Sequence, residues 1–193
     1  MWNIFSLGAL MKGSRGEGMK SFAQLSPEGI LSLAIAIEAL NAKRYQEWAD
    51  RFEPFDVEVS RLLEELAKEE QEHGKKLTDL YHSRFGSQIE EIQPEQVEGH
   101  IERPELPDDH FFVVDPDMAH NILWAALRTE LKARVFYEKL TEQTKDKALL
   151  KVYKILAVFE EDHVQALQNR LASLVKSGAL PPAPPRPPFA RAL

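Results

Sequence analysis

Two short motifs in the chain place a carboxylate and an imidazole three residues apart. They are Glu70-x-x-His73 and Glu160-x-x-His163, and the 193 residues contain no other Glu-x-x-His. Residues three apart on a helix share a face, with Cβ atoms about 5–6 Å apart, so each pair can chelate a metal ion. Carboxylate and imidazole together suit divalent first-row metals. The two motifs therefore predict two metal-chelating helix segments.

Two further glutamates are related to these motifs by a repeat. Glu38 is followed seven residues later by Tyr45, and Glu130 is followed seven residues later by Tyr137. The glutamate of a Glu-x-x-His motif comes 32 residues after the first of these glutamates and 30 residues after the second. The same order of chemical groups at nearly the same spacing indicates an internal repeat of a helix pair.

All four glutamates fall among apolar residues spaced three or four positions apart, a pattern typical of the buried face of a helix. In the second predicted helix the pattern reads Leu63, Leu66, Glu70, His73, Leu77 and Leu80. Each of the other helices carries one of Glu38, Glu130 and Glu160 in the same way. By the same spacing, other acidic residues beside the motifs fall on solvated faces: Glu64, Glu65, Glu69, Glu72, Glu161 and Asp162. Each helix is therefore predicted to direct one carboxylate inward.

Four buried carboxylates need compensation, because burying a single unpaired one costs on the order of several kcal/mol. Protonation, buried cations or metal ions could provide it. The buried faces contain no Lys or Arg at that level, although Arg134 lies beside the third. Two divalent ions carry four positive charges, and two neutral imidazoles complete a ligand set known from dinuclear helical bundles. The predicted ligands are Glu38, Glu70, His73, Glu130, Glu160 and His163. Their chemistry leaves iron, manganese and zinc open.

The two tyrosines of the repeat lie on the same helix faces as the glutamates. Tyr45 and Tyr137 are either core aromatic residues, or their hydroxyls hydrogen-bond the ligating carboxylates and hold their geometry. The remaining histidines fall outside any ligand spacing and are predicted in loops or at helix ends: His82, His100, His110 and His120.

Four long helices are predicted to carry these residues. Their approximate ranges are 26–51, 57–85, 117–143 and 146–176. Ser26 and Asp56 can cap the first two helices, and Gly86 ends the second. The connections are short, long and short, and the long one, over 86–116, is acidic and contains several prolines. This order predicts an all-α, ferritin-like four-helix bundle of two antiparallel helix hairpins joined by a long crossover. The predicted organisation is a leader at 1–20, the bundle at 21–178 and a Pro-rich tail at 179–193.

The amino-acid composition excludes several classes of metal site and argues against one class of binding partner. The chain has no cysteine, which excludes disulfides, thiolate zinc sites and iron–sulfur clusters. Its net charge of −7 argues against a nucleic-acid partner. The apolar run at 1–11 is too short to span a bilayer, so we expect no transmembrane segment and a cytoplasmic location. The tail at 181–193 is either a disordered end or a docking peptide for a partner.

With these motifs, the chain resembles the rubrerythrin and ferritin-like di-iron family over residues 21–174. The segments 20–26 and 80–86 are especially similar to the erythrin-like domain of vacuolar-iron-transporter fusions. The resemblance implies a cofactor of two iron ions, while the ligand types alone also permit Mn or Zn. It also implies oxidation of Fe(II) by O₂ or hydrogen peroxide, in iron handling or defence against oxidative stress. Homodimers are frequent in the family, so a homodimer is expected.

The chain departs from the family in three respects, one of which is that the membrane-transporter half of the erythrin fusions is missing. Leu127 stands where rubrerythrins carry an additional carboxylate, three residues before the ligand Glu130. The lack of cysteine also means that the chain carries no rubredoxin-type module, so a peroxidase cycle requires an external electron donor. Whether the chain is an enzyme, a ferroxidase or peroxide reductase, is therefore left open. The alternatives are an iron-binding or sensing module that acts through a partner, and a catalytically silent bundle stabilised by metal.

Overall fold

The computed structural model of the protein describes residues 26–91 and 111–181. These residues form four helices and no strand: α1 Pro27–Phe52, α2 Val57–Phe85, α3 Pro116–Gln143 and α4 Lys147–Lys176. The all-α, four-helix prediction is confirmed. The predicted leader, most of the crossover and the tail beyond residue 181 lie outside the described residues, and so do His100 and His110.

Each helix begins at a side chain that caps its free backbone N–H groups. The Ser26 hydroxyl accepts a hydrogen bond from the N–H of Gly29 at 3.0 Å. The carboxylates of Asp56, Asp115 and Asp146 accept the corresponding hydrogen bonds at the starts of α2, α3 and α4. The third helix begins at Pro116, one residue before the predicted start, because proline suits the first helical position. Gly86, at φ 96°, ends α2 in a backbone conformation that favours glycine.

Two of these capping aspartates also tie one hairpin to the other. Asp56, which caps α2, binds Arg170 of α4 at 2.8 Å. Asp146, which caps α4, accepts hydrogen bonds from Arg84 near the end of α2. The short connections make α1–α2 and α3–α4 helix hairpins, and the two arginine–aspartate pairs join them near both ends.

The interior consists of two apolar clusters with a polar layer between them. One cluster takes residues from 45–52, 59–67, 118–127 and 164–174 of the four helices, and it includes Trp48 and Phe52. The other takes residues from 31–37, 77–81, 136–140 and 149–156. In every helix the predicted ligands fall between these two stretches. None of the four helices is sufficiently long and apolar to cross a membrane.

Candidate metal centre

The polar layer consists of the six residues that the sequence predicts as ligands. All four glutamates are fully buried, and both histidines are 2% exposed. Two groups of ligand atoms form, each with its atoms within 4.8 Å of one another. The groups are Glu38, Glu70, His73 and Glu160, and Glu70, Glu130, Glu160 and His163. Glu70 and Glu160 therefore belong to both groups, which is the arrangement that two neighbouring metal ions require.

Both imidazole rings turn the same nitrogen toward the carboxylates. The Nδ1 atom of His73 lies 3.5 Å from Glu70 Oε2 and 3.8 Å from Glu38 Oε2. The Nδ1 atom of His163 lies 3.2 Å from Glu130 Oε2 and 3.6 Å from Glu70 Oε1. Each histidine thus lies beside the glutamate on the other helix of its own hairpin. The two halves of the sequence repeat therefore form equivalent arrangements in the structure.

The buried carboxylates of the layer alter one another's pKa values. Burial and the charge of Glu70 raise the pKa of Glu38 well above its ordinary value, and burial and the charges of Glu70 and Glu130 do the same for Glu160. Burial opposes charge on Glu70 also, but interactions with Glu38 and both histidines hold its pKa below the ordinary value. Without metal, the layer therefore favours protons on Glu38 and Glu160 and a negative charge on Glu70.

The imidazolium of His163 is favoured by the same surroundings. Burial alone would lower its pKa, but the neighbouring carboxylates of Glu130, Glu160 and Glu70 raise it far above the ordinary value. A metal ion that binds at Nδ1 must displace this proton, so metal binding and proton release are coupled at this ring.

Several polar atoms of the layer have no hydrogen-bond partner. They are Oε2 of Glu38, both carboxylate oxygens of Glu70 and Glu160, and Nδ1 of His73. An unsatisfied buried polar group costs about 1–3 kcal/mol, and a charged one costs more. These atoms all face the centre of the two ligand groups, and their chemistry is that of ligands for divalent first-row metals. The residues present therefore fit a dinuclear metal centre.

The tyrosines connect the two hairpins through the layer. Tyr45 of α1 donates a hydrogen bond to Oε1 of Glu130 on α3. Tyr137 of α3 donates to Oε1 of Glu38 on α1. Burial and the charge of Glu130 raise the pKa of Tyr45, so its hydroxyl stays protonated and remains a donor. Each tyrosine thus contacts the glutamate of the opposite hairpin, not the one on its own helix.

Glu69 was missed by the sequence pattern, which places it on a solvated face. Its side chain is 56% exposed, yet Oε2 lies 2.7 Å from Nε2 of His163. Glu161, also expected on a solvated face, forms a surface ion pair with Arg134. A helical pattern reports only which face is buried, so it cannot reveal a contact that an exposed residue makes with a neighbouring helix.

The histidines outside the ligand set are not brought to the centre. His82 is exposed near the end of α2. His120 is buried in the second turn of α3, where its Nε2 accepts a hydrogen bond from the Trp124 indole at 2.7 Å. Across 26–91 and 111–181, clusters of metal-ligating side chains form only in the two groups described above.

The comparisons with known proteins agree with this architecture. The Rubrerythrin family model matches residues 29–107, the part of the chain that contains Glu38 and the first Glu-x-x-His motif. A hypothetical protein from Pyrococcus furiosus is 25% identical, with a TM-score of 0.67, over 81% of this chain and 95% of that chain. An uncharacterised conserved protein from Magnetospirillum magnetotacticum is 20% identical, with a TM-score of 0.62, over 84% and 100%. No curated protein matches the chain.

A third solved structure is a dodecameric thioferritin, the bacterioferritin-related protein from Bacteroides fragilis. It is 21% identical, with a TM-score of 0.62, and the match covers 78% of this chain and 86% of that one. This similarity concerns the fold, which is ferritin-like. Together with the Rubrerythrin match over α1 and α2, it shows that the chain is similar to rubrerythrin in its first half and to ferritin-like proteins in its fold.

Proposed function

We propose that the buried layer holds two iron ions and that the protein oxidises Fe(II) with O₂ or hydrogen peroxide. The observation that carries the proposal is the set of buried carboxylate oxygens without a hydrogen-bond partner, on Glu38, Glu70 and Glu160. A core of marginal stability tolerates such atoms when a bound cation satisfies them. Iron is proposed because of the family; manganese or zinc would also suit these ligands.

The six ligands divide naturally between two ions. Glu38 and His73 lie in one group, Glu130 and His163 lie in the other, and Glu70 and Glu160 are common to both. The negative charges of four carboxylates balance the positive charges of two divalent ions. Iron gains positive charge when it is oxidised, and anionic oxygen ligands stabilise that added charge. This preference of the ligand set for the higher oxidation state supports an oxidation reaction over simple storage of Fe(II).

Bound iron would supply one electron per ion to O₂ or peroxide. The chain holds the carboxylates in place, because the hydroxyls of Tyr45 and Tyr137 fix the orientation of Glu130 and Glu38. The apolar clusters on both sides exclude water, and this lowers the local dielectric constant and strengthens every charge interaction in the layer. Sustained peroxide reduction needs an external electron donor, since the chain has no cysteine for a rubredoxin-type module.

Fe(II) oxidation by the purified protein tests the proposal. Two Fe(II) per chain are added anaerobically, and then O₂ or hydrogen peroxide is mixed in while the near-ultraviolet absorbance of Fe(III) is followed. The wild type should oxidise Fe(II) faster than buffer, and Glu70→Ala with His73→Ala should not. His82→Ala is the matched control, because His82 lies on the same helix and is exposed. A wild-type protein no faster than buffer contradicts the proposal.

We propose further that the chain is a homodimer, as the family resemblance implies. On α4, Ile155 and Val158 are 41% and 60% exposed, which leaves apolar surface uncovered in the single chain. Light scattering during gel filtration should give twice the chain mass of 22.0 kDa. A mass of one chain contradicts this proposal and leaves the iron chemistry untouched.

A further inference from the structure

The two halves of the metal centre differ at one pair of equivalent positions. Glu69 comes directly before Glu70 of the first motif, and Phe159 comes directly before Glu160 of the second. The internal repeat therefore places a carboxylate in one half where it places a phenyl ring in the other.

Each of these residues reaches the histidine of the opposite helix. From α2, Glu69 Oε2 lies 2.7 Å from Nε2 of His163 on α4. From α4, the ring of Phe159 stacks on the ring of His73 on α2, with centroids 5.0 Å apart and an angle of 10° between the planes. Lys76 places its ammonium 4.9 Å from the centroid of the same phenyl ring.

The two contacts have different consequences for a metal ligand. A carboxylate accepts a hydrogen bond from the imidazole, so Glu69 favours the form of His163 with its proton on Nε2. When metal displaces the other proton, the lone pair of Nδ1 faces Glu130 and Glu70, and the carboxylate makes the ring a stronger ligand. A phenyl ring restricts rotation of His73 by packing, but it offers no acceptor of comparable strength.

We propose that Glu69 is a positioning residue that makes the two metal positions unequal, so that the ion beside His163 binds first and more tightly. The proposal rests on the metal centre of the proposed function and states which of its two metal positions is occupied first. The carboxylate acts through the imidazole: it holds the proton on Nε2, restricts ring rotation and leaves Nδ1 directed at the ligand group. At the equivalent place beside His73, the contact is the packing of the Phe159 ring, which is not a carboxylate.

Zn(II) binding to the metal-free full chain tests the proposal, with affinities measured by competition against a chromophoric chelator. The wild type should bind two Zn(II) ions with unequal affinities. In Glu69→Ala the tighter affinity should fall by about 10–100-fold, the usual effect of removing such a partner, and the weaker should not change. Glu69→Gln keeps an oxygen acceptor and should recover part of the loss. Glu72→Ala removes an exposed carboxylate on the same helix and should change neither affinity.

A second measurement reports on the hydrogen bond itself. In the Zn(II)-loaded, histidine-¹⁵N-labelled wild type, the Nε2 proton of His163 should be protected from exchange with water. In Glu69→Ala the protection should be lost. A merely structural role for Glu69 would lower the melting temperature without a selective effect on one ion or on this proton.

The outcomes separate the two proposals. A wild type that binds no Zn(II) contradicts the metal centre itself. Two equal affinities in the wild type, or affinities unchanged or equally weakened in Glu69→Ala, overturn the role of Glu69 and leave the metal centre standing.

Discussion

Tyr137 of α3 donates a hydrogen bond to Glu38 of α1, across the interface between the two helix hairpins. Tyr45 of α1 makes the reciprocal contact with Glu130 of α3. Each hairpin therefore supplies both a buried carboxylate and the donor that orients the carboxylate of the other. The docking of the hairpins and the geometry of the metal centre depend on the same two hydrogen bonds.

Replacing Tyr137 by phenylalanine should weaken metal binding and lower stability together. The variant removes the donor to Glu38 and leaves one more buried carboxylate oxygen without a partner, at a cost of about 1–3 kcal/mol. Urea unfolding of the metal-free protein and Zn(II) affinity are the measurements. Tyr153→Phe is the control, since Tyr153 lies in the apolar cluster with its ring stacked on Tyr137 and is not among the ligands. An unchanged Zn(II) affinity in Tyr137→Phe would show that the hydroxyl does not position Glu38.

The stability gained from metal should grow as the pH rises. The raised pKa of Glu38 and Glu160 means that the folded, metal-free chain holds these protons more tightly than the unfolded chain does. This contribution is complete below the ordinary pKa of 4.5 and is lost as the pH rises through the raised values. The protonated His163 acts in the same direction, above its ordinary value of 6.5. The lowered pKa of Glu70 acts oppositely, but its contribution is lost only in acid, below 4.5.

Melting temperatures between about pH 5 and pH 9 test this linkage, in chelator and in saturating Zn(II). The metal-free protein should lose stability with increasing pH, while the metal-loaded protein should lose less, because the ions replace the protons. The difference between the two melting temperatures should therefore widen with pH. A difference that narrows over this range would mean that the carboxyls are not protonated in the metal-free layer.

Glu160→Gln should stabilise the metal-free protein and abolish the stabilisation by metal. The amide has nearly the shape of the protonated acid that burial favours at this position, and it removes repulsion from Glu70 and Glu130. It also removes an anionic ligand common to both groups. Thermal unfolding at pH 8, with and without Zn(II), measures both effects.

The neighbouring Glu161→Gln supplies the matched control for this variant. Glu161 forms a surface ion pair with Arg134, and such pairs contribute about 0–1 kcal/mol. Its substitution should leave the stabilisation by Zn(II) unchanged. If Glu160→Gln lowers the metal-free melting temperature, then Glu160 stabilises the layer by a contact that does not require metal.

The sequence predicts the helices well because their signals are local. Ser26 and Asp56 cap their helices as expected, and Gly86 ends α2. The apolar spacing also singles out the six Glu and His residues of the polar layer, since a polar residue among regularly spaced apolar ones is conspicuous in the sequence. The fold follows from the order of short and long connections.

Contacts between helices are less accessible from the sequence. The sequence pattern puts Tyr45 and Tyr137 on the same helix faces as the glutamates, but their pairing with the glutamate of the opposite hairpin depends on how the hairpins dock. Glu69 carries no periodic signal, because it is exposed and only the approach of α4 brings His163 to it. Local patterns determine which face a residue occupies, whereas its partner depends on the rotation and offset of the neighbouring helix.

A cleft of about 690 Å³ between α1 and α2 provides a last test, because Glu70 and Gly74 both line it. A Cβ atom at Gly74 would lie 3.5 Å from Glu38 Cβ, an ordinary contact, and alanine favours a helix interior over glycine by about 1 kcal/mol. Gly74→Ala should therefore raise the free energy of unfolding by about 0.5–1 kcal/mol. Gly74→Leu should narrow the cleft beside Glu70 and slow Fe(II) loading, measured by stopped flow with a chelating dye, while Gly74→Ala loads at the wild-type rate. Equal loading rates in all three proteins would show that metal reaches Glu70 by another route, since only leucine obstructs this one.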